Sequence, residues 1–92
     1  MSQTRVWRVE FDADAARDLR RLGAVAARAI LRYLRQRIAT AEDPRRFGRP
    51  LTGDLKGLWR YRVGDYRIVA AIEDDRFVVL VVAVGYRREV YD

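Results

Sequence analysis

The 92-residue chain contains neither cysteine nor histidine. Their absence excludes disulfide bonds, thiol nucleophiles, imidazole catalysis and zinc sites built from Cys and His ligands. Lysine is scarce too, because Lys56 is the one lysine among 19 basic residues and all the others are arginines. A GC-rich genome would also replace lysine by arginine, but it does not explain where the arginines lie. The formal net charge of +6 favours polyanionic partners, nucleic acid first and an acidic protein second.

Long hydrophobic runs are absent as well. The longest, residues 77–84 (FVVLVVAV), is far shorter than the roughly 20 residues of a membrane-spanning helix. The opening residues MSQTR lack the apolar segment of a secretory signal peptide. Half of the residues are hydrophobic and 35% are charged, a composition typical of a folded globular protein. We therefore predict one domain over residues 1–92, located in the cytoplasm and not at a membrane.

The first half of the chain predicts one strand and two helices. Residues 6–11 (VWRVEF) alternate between apolar and polar side chains, as in a half-buried strand. Asp12 is placed to cap a short helix that ends at Gly23. A longer helix is predicted from about residue 24 to residue 41, packed against the first as an antiparallel hairpin. Residues 42–57 contain two prolines and three glycines and predict a loop.

Three closely spaced strands are predicted in the second half, at residues 58–63, 66–73 and 76–84. Gly64-Asp65, which is typical of a two-residue hairpin turn, separates the first two, and Asp74-Asp75 separates the second from the third. The third strand is apolar at nearly every position, so we expect it at the centre of the sheet, covered on both faces. This order of elements predicts an α+β fold, one sheet with both helices on one face.

The predicted register gathers arginines on one face of that sheet. A two-residue turn at Gly64-Asp65 places Arg62 directly opposite Arg67, with Arg60 on the same face. The alternate residues, among them Tyr61 and Ile68, then face the helices. A two-residue turn at residues 74–75 would place Val82 beside Arg67 on the arginine-bearing face.

Two arginines directly opposite each other require an explanation, because like charges in that position destabilise a sheet by about 0.2–1 kcal/mol. In one interpretation Glu10 or Glu89 neutralises the pair. In the other, the face binds phosphate through the forked contacts that guanidinium groups make with its oxygens.

The end of the chain, residues 84–92 (VGYRREVYD), follows the predicted central strand and carries two arginines between tyrosines. We expect it to form a wall of the phosphate site, where Tyr86 and Tyr91 offer rings for base stacking at about 1–3 kcal/mol per base. Other basic residues are candidates for RNA contacts, although each alone is also typical of a solvated surface: Arg28, Arg32 and Arg35 on the helix, and Arg45, Arg46, Arg49 and Lys56 in the loop.

Residues 51–91 (LTGDLKGLWRYRVGDYRIVAAIEDDRFVVLVVAVGYRREVY) resemble the RelE branch of the RelE/ParE toxin superfamily. The preceding segment FDADAARDLRRLGAVAARAILRYL fits the same family, so the resemblance covers nearly the whole chain. The hairpin LWRYRVGDYRIV is typical of the superfamily, and the ending VGYRREVY of its RNA-cleaving branch. The resemblance implies the toxin of a type II toxin–antitoxin pair, which cleaves mRNA in the ribosomal A site and is silenced by a cognate RelB-like antitoxin.

By position, the resemblance implies a catalytic set composed of Arg60, Arg62, Arg67, Arg87 and Tyr91. It departs from the family at two places: well-studied members have lysines at the positions of Arg60 and Arg62, and many have histidine at that of Tyr86. The remaining tail and loop residues are predicted to bind RNA: Arg45, Arg46, Arg49, Lys56, Tyr86 and Arg88.

Cleavage by the RNA's own 2′-hydroxyl needs a base for that hydroxyl, cations for the extra charge on phosphorus and an acid for the leaving 5′-oxygen. Arginine stabilises the charge well but is a poor base, because it stays protonated. The general base is therefore unassigned, and we expect no cofactor or metal. Two alternatives stay open: a ParE-like inhibitor of DNA gyrase on the same fold, and a non-catalytic RNA-binding module.

Overall fold

A computed structural model of the chain describes residues 5–86. Within them lie two α-helices and a five-stranded sheet in the order β1-β5-β4-β3-β2, with β1 parallel to β5 and the other neighbours antiparallel. This confirms the predicted α+β fold with the last strand inside the sheet. The elements are β1 (Arg8–Phe11), α1 (Ala13–Leu22), α2 (Ala24–Tyr33), β2 (Arg49–Pro50), β3 (Leu58–Val63), β4 (Tyr66–Glu73) and β5 (Val78–Tyr86).

The first helix begins and ends at the predicted residues. The Asp12 carboxylate accepts a hydrogen bond from the Ala15 backbone N–H at 2.8 Å, which satisfies one of the free donors at the start of α1. Gly23 ends the helix with φ +92°, a conformation that a side chain would strain. This single residue joins α1 to α2, and the two helices contact each other.

The second helix is shorter than predicted. Regular α-helix stops at Tyr33, and a π-helical turn, Leu34–Ile38, follows it. Leu34 and Ile38 are both buried, so the apolar pattern that suggested a long helix continues through this wider turn. Among residues 5–86, no helix is long and apolar enough to cross a membrane.

The predicted loop is held against β3 and contains an unpredicted strand. The Tyr61 hydroxyl donates a buried hydrogen bond of 2.9 Å to the Pro44 carbonyl. A Cβ atom on Gly48 would come within 3.1 Å of the Tyr61 ring, so the close approach of the loop depends on glycine. The chain then pairs with β3 as β2, whose two residues are too few to produce an alternating pattern.

The core lies between the helices and one face of the sheet. We call this side of the sheet the helix face. The side chains from both layers that form the core are Ala15, Ile30, Leu34, Ile38, Tyr61, Ile68, Ala70, Val79, Val81 and Val84.

The register between β4 and β5 differs from the prediction. Glu73 pairs with Val78, so the turn contains four residues instead of two, and Phe77 adopts φ +53° within it. An irregularity between residues 69 and 70 shifts the register again, and Arg67 pairs with Gly85. The prediction that Val82 lies beside Arg67 is therefore wrong. The Phe77 ring stacks on the Trp7 ring, with centroids 4.7 Å apart. We attribute the longer turn to this contact, because it places Phe77 in the turn and not in the strand.

Candidate functional site

Four arginines share the sheet face opposite the helix face. Arg62 pairs directly with Arg67 across β3 and β4, as predicted. The unpredicted strand β2 adds a second pair of like charges, because Arg49 lies directly opposite Arg60. Directly paired residues point to the same side of a sheet. We call this set, Arg49, Arg60, Arg62 and Arg67, the arginine face.

Burial differs sharply within the arginine face. Arg67 is only 2% exposed, Arg60 is half-buried, and Arg62 and Arg49 are exposed. Arg67 lies opposite Gly85, which has no side chain to compete for space above the sheet. The arginine face therefore combines a buried guanidinium, held by its surroundings, with solvent-facing ones. Such an arrangement can hold a phosphate from several sides through forked contacts.

Glu10 does not neutralise the arginine face. Its carboxylate lies 3.1 Å from Arg8 and 3.6 Å from Arg76, at the opposite edge of the sheet. The interpretation in which Glu10 balances Arg62 and Arg67 is therefore wrong. The other residue in that interpretation, Glu89, lies outside the described residues.

A cleft of about 510 Å³ opens beside the arginine face. Its walls come from α1, from the segment before β3 and from the second half of β5, and its volume suits a ligand of nucleotide size. Apolar side chains dominate the lining, with one acidic and one basic residue from α1: Asp18, Arg21, Leu22, Leu55, Leu58, Val69, Val82, Ala83, Val84, Gly85 and Tyr86.

Asp18 holds one wall of the cleft in place. Strand β1 pairs with β5 only as far as Val81, so the β5 backbone beyond it has no strand partner on that side among the described residues. The Asp18 carboxylate accepts a hydrogen bond from the Val84 N–H at 3.2 Å. Helix α1 thus supplies an acceptor to the open edge of β5 at the wall of the cleft. Sequence reasoning missed Asp18, since nothing local marks a helical carboxylate as the partner of a distant strand.

Three tyrosines of the described region have a pKa raised above its ordinary value, which does not favour a general base at neutral pH: Tyr33, Tyr61 and Tyr66. Burial raises the pKa of Tyr33 and of Tyr61. Desolvation, with a smaller contribution from neighbouring Tyr86, raises the pKa of Tyr66. Tyr86 lies opposite Tyr66, and the centroids of the two rings are 5.2 Å apart. The strand register therefore places Tyr86 on the other side of the sheet from Arg67. Tyr86 also lines the end of the cleft. Its role in base stacking stays a prediction.

The loop arginines fall into two groups. Arg45 makes a forked contact with the Asp74 carboxylate at 2.6 and 3.1 Å and a further contact with Asp43 at 3.2 Å. These bonds raise the pKa of Arg45 and lower that of Asp74. Arg46 lies 3.6 Å from Glu42.

Arg45 and Arg46 thus have carboxylate partners within the protein, whereas Arg49 joins the arginine face and Lys56 is exposed. Their proposed RNA contacts stay predictions. So do those of Arg87, Arg88 and Tyr91, which lie outside the described residues. Within residues 5–86, no cluster of His, Cys, Asp or Glu could hold a metal ion.

Comparison with known sequences finds similar proteins along nearly the whole chain. The family model for the ParE toxin of the type II toxin–antitoxin system parDE matches residues 9–91. Toxin RelE of Mycobacterium tuberculosis is 37% identical over 91 residues, covering 99% of this chain and 92% of that protein. Toxin RelG of the same organism is 30% identical over 83 residues, covering 90% and 93%.

Solved structures share the fold. The toxin–antitoxin complex RelBE2 of M. tuberculosis contains a chain that matches with a TM-score of 0.82 and 27% identity, over 97% of this chain and 100% of that one. The archaeal RelE–RelB complex of Pyrococcus horikoshii matches with a TM-score of 0.66 and 22% identity, over 96% and 100%. At that identity the second match shows likeness of fold alone.

Proposed function

Because the chain belongs to the RelE/ParE family of type II toxin–antitoxin toxins, and to its RelE branch, we propose that it is an endoribonuclease that cleaves mRNA in the ribosomal A site. The observation that supports this proposal is the arginine face. Two directly opposed arginine pairs, Arg49–Arg60 and Arg62–Arg67, adjoin a cleft of nucleotide size. A phosphate can accept forked hydrogen bonds from guanidinium groups that are brought together in this way.

The chemistry follows from the charge that builds up during cleavage. The 2′-oxygen of the RNA attacks the adjacent phosphorus, the bond to the 5′-oxygen breaks, and a 2′,3′-cyclic phosphate and a free 5′-hydroxyl result. Extra negative charge collects on the phosphate oxygens between these steps. Arg67 and Arg62 stabilise that charge with preorganised donors, and burial of Arg67 strengthens the effect because little water screens it.

Positioning carries much of the remaining rate enhancement. The chain has no histidine, and burial raises the pKa of Tyr33 and Tyr61 away from neutrality. An enzyme with strong charge stabilisation and a weak base gains most from a substrate whose 2′-oxygen is already aligned with the phosphorus. An mRNA held in shape by the ribosome is such a substrate. In this scheme Arg60 and Arg87 assist at the phosphate and the leaving oxygen, and Tyr91 stacks on or orients the nucleotide.

We also propose that a cognate RelB-like antitoxin inhibits the protein. The similar chain in the RelBE2 structure is solved as part of a toxin–antitoxin complex. The net charge of +6 favours an acidic, partly disordered antitoxin segment that folds on binding. Its association should be fast and should weaken with salt.

One specific observation keeps a second function open. The matching family model describes ParE toxins, and a ParE-like inhibitor of DNA gyrase would use the same fold without cleaving phosphate. Such a protein would block DNA replication and leave mRNA intact. A non-catalytic RNA-binding module would bind RNA and leave both processes chemically unchanged.

Induced expression in a bacterial host separates these functions. We expect immediate arrest of protein synthesis, with new mRNA 5′ ends that map inside codons on ribosomes. The Arg62→Ala variant should lose this effect, whereas the charge-matched control Arg76→Gln should keep it, because Arg76 contacts Glu73 and Glu10 at the other edge of the sheet. Intact mRNA with accumulating gyrase–DNA breaks would replace the proposal by the ParE-like function.

A further inference from the structure

Residues 19–41, from the second half of α1 through α2 and the π-helical turn, carry positive charge without any acidic residue. Residues 19–41 include six arginines and neither aspartate nor glutamate. These six charges equal the formal net charge of the whole protein, +6, so the rest of the chain is balanced. The excess charge is thus concentrated on the helices, on the opposite side of the sheet from the arginine face.

Ion pairing distinguishes these six arginines from five arginines elsewhere in the described part of the chain. Among residues 5–86, none of the six forms an ion pair. The Arg37 guanidinium lies over the Phe47 ring, 5.4 Å from its centroid. Five arginines elsewhere each have a carboxylate partner: Arg8, Arg17, Arg45, Arg46 and Arg76.

Three of the six lie along α2 and the turn that follows it. Counted at about 100° per residue, Arg28 and Arg32 of α2 lie roughly 160° around the axis from the buried Ile30. Arg35 follows them on the π-helical turn. All three are exposed. We call these three residues the helix stripe. At about 1.5 Å per residue it spans roughly 10 Å along α2 and the turn that follows.

Neighbouring like charges at helical spacings of three and four residues destabilise a helix. The helix stripe contains both spacings and no acidic residue to offset them. Glutamate at one position would remove the repulsion at no structural cost, since the site is exposed. A bound polyanion would offset the repulsion between these three positive charges.

We propose that the helix stripe binds the sugar–phosphate backbone of a structured RNA, as a second nucleic-acid site independent of the arginine face. A B-form duplex carries about one charge per 1.7 Å of its axis when both strands are counted, so a length of about 10 Å carries roughly six charges, and duplex RNA offers a comparable density. Arginine suits phosphate through its fork of donors. The stripe has no aromatic anchor of the kind that dominates protein interfaces, which favours RNA over an acidic protein.

The identity of that RNA rests on the proposed function. If the arginine face acts on mRNA in the A site, the surrounding structured RNA is ribosomal, and the helix stripe holds the toxin to it. Binding of duplex RNA itself rests only on the helix stripe. In this scheme the helix stripe binds a folded RNA, and the arginine face contacts the phosphate that reacts.

The test compares two triple variants of equal net charge. Arg28, Arg32 and Arg35 are changed together to Gln, a good helix former, and the control changes the ion-paired, exposed Arg8, Arg17 and Arg76 to Gln. The probe is a fully paired RNA hairpin of about 20 base pairs, titrated by fluorescence anisotropy across a range of salt concentrations. Thermal melting checks that both variants fold.

We expect the stripe variant to bind about 10-fold or more weakly, with a salt slope reduced by about 3, one unit for each lost phosphate contact. Changing the same three residues to Lys should keep most of the binding, because charge alone suffices for backbone contact. The control should bind within about 2-fold of the wild type. Equal binding by the stripe variant and the control would overturn the proposal.

Two further outcomes identify where an error lies. If the stripe variant keeps its RNA affinity but loses affinity for an acidic antitoxin peptide, the surface binds protein and the RNA proposal fails. If duplex binding depends on the helix stripe while no mRNA is cleaved in cells, the second site stands and the proposed endoribonuclease function fails.

Discussion

The two faces of the sheet are built from alternating residues of the same strands, yet they serve opposite purposes. On the helix face, Tyr61 and Ile68 are fully buried under the helices. On the arginine face, their immediate neighbours Arg62 and Arg67 form a pair of like charges. One face stabilises the fold, and the other brings arginines together in an arrangement that we propose binds an anion. Because the side chains alternate, single substitutions can test each face separately.

Arg67 shares properties of both faces of the sheet. It belongs to the arginine face by register but is 2% exposed, as deeply buried as core residues. Removal of its side chain would therefore leave a cavity as well as remove a charge. Arg62, directly opposite it, is exposed and has no such packing role.

The largest expected effect is the loss of RNA cleavage in Arg67→Lys. Lysine keeps the charge and much of the volume but loses the fork that binds two phosphate oxygens at once. We expect cleavage to fall on the order of 10²-fold or more while the protein remains folded. Cleavage of mRNA on purified ribosomes, with circular dichroism for the fold, measures both. An unfolded Arg67→Lys protein would show that the residue is structural.

Arg62→Ala sharpens the same comparison, because it should abolish most of the toxicity without loss of stability. Removal of one member of a repelling pair should leave the free energy of unfolding unchanged or raise it by a few tenths of a kcal/mol. Chemical denaturation and a growth assay give the two values. A destabilised Arg62→Ala protein would contradict the assignment of Arg62 to a face that is not part of the core.

Much of this arrangement can be predicted from the sequence, and the reason is local. The Gly64-Asp65 turn fixes the register between β3 and β4, and with it the opposition of Arg62 and Arg67. Asp12 and Gly23 likewise mark the ends of α1 through short-range backbone requirements. Where neighbouring residues determine the geometry, the pattern predicts it correctly.

The errors arise where distant residues decide. The turn between β4 and β5 is longer than predicted because Phe77 packs on Trp7, about 70 residues earlier in the chain. Strand β2, which brings Arg49 to the arginine face, forms because Gly48 and Pro44 pack against Tyr61. Tertiary contacts of this kind leave no periodic signal in the segment that they organise.

Tyr61→Phe tests the helix face. It removes only the hydroxyl that bonds to the Pro44 carbonyl and leaves that buried acceptor without its partner. We expect a loss of about 1–2 kcal/mol in the free energy of unfolding, with cleavage on ribosomes within a few-fold of the wild type. Thermal and chemical unfolding give the first value. A large fall in cleavage without destabilisation would mean that the two faces are coupled.

Asp18→Ala tests the wall that joins the two layers. The Val84 N–H would lose its acceptor at the uncovered part of β5, and an unsatisfied buried donor costs about 1 kcal/mol where water has partial access. The matched control is Asp14→Ala, an exposed helix carboxylate that contacts only Arg17. Amide hydrogen exchange at Val84 should accelerate in Asp18→Ala and not in the control. Equal exchange in both variants would remove Asp18 from the site.

The smallest expected effect concerns pH and the contact that holds the loop to the β4–β5 turn. The hydrogen bonds from Arg45 lower the pKa of Asp74 below its unfolded value, so the ionised carboxylate stabilises the fold above the unfolded pKa. That contribution disappears as the pH falls from about 4 through the lower pKa of the folded protein. Asp74→Asn should therefore melt slightly below the wild type at neutral pH, and the two melting temperatures should converge in acid. The difference should be small because Asp74 is exposed.

Asp75→Asn, next in the chain, makes the same change of charge without the forked contact to Arg45 and should show no such convergence. A gap for Asp74→Asn that stays constant from neutral to acidic pH would show that Arg45 does not hold the loop through this carboxylate.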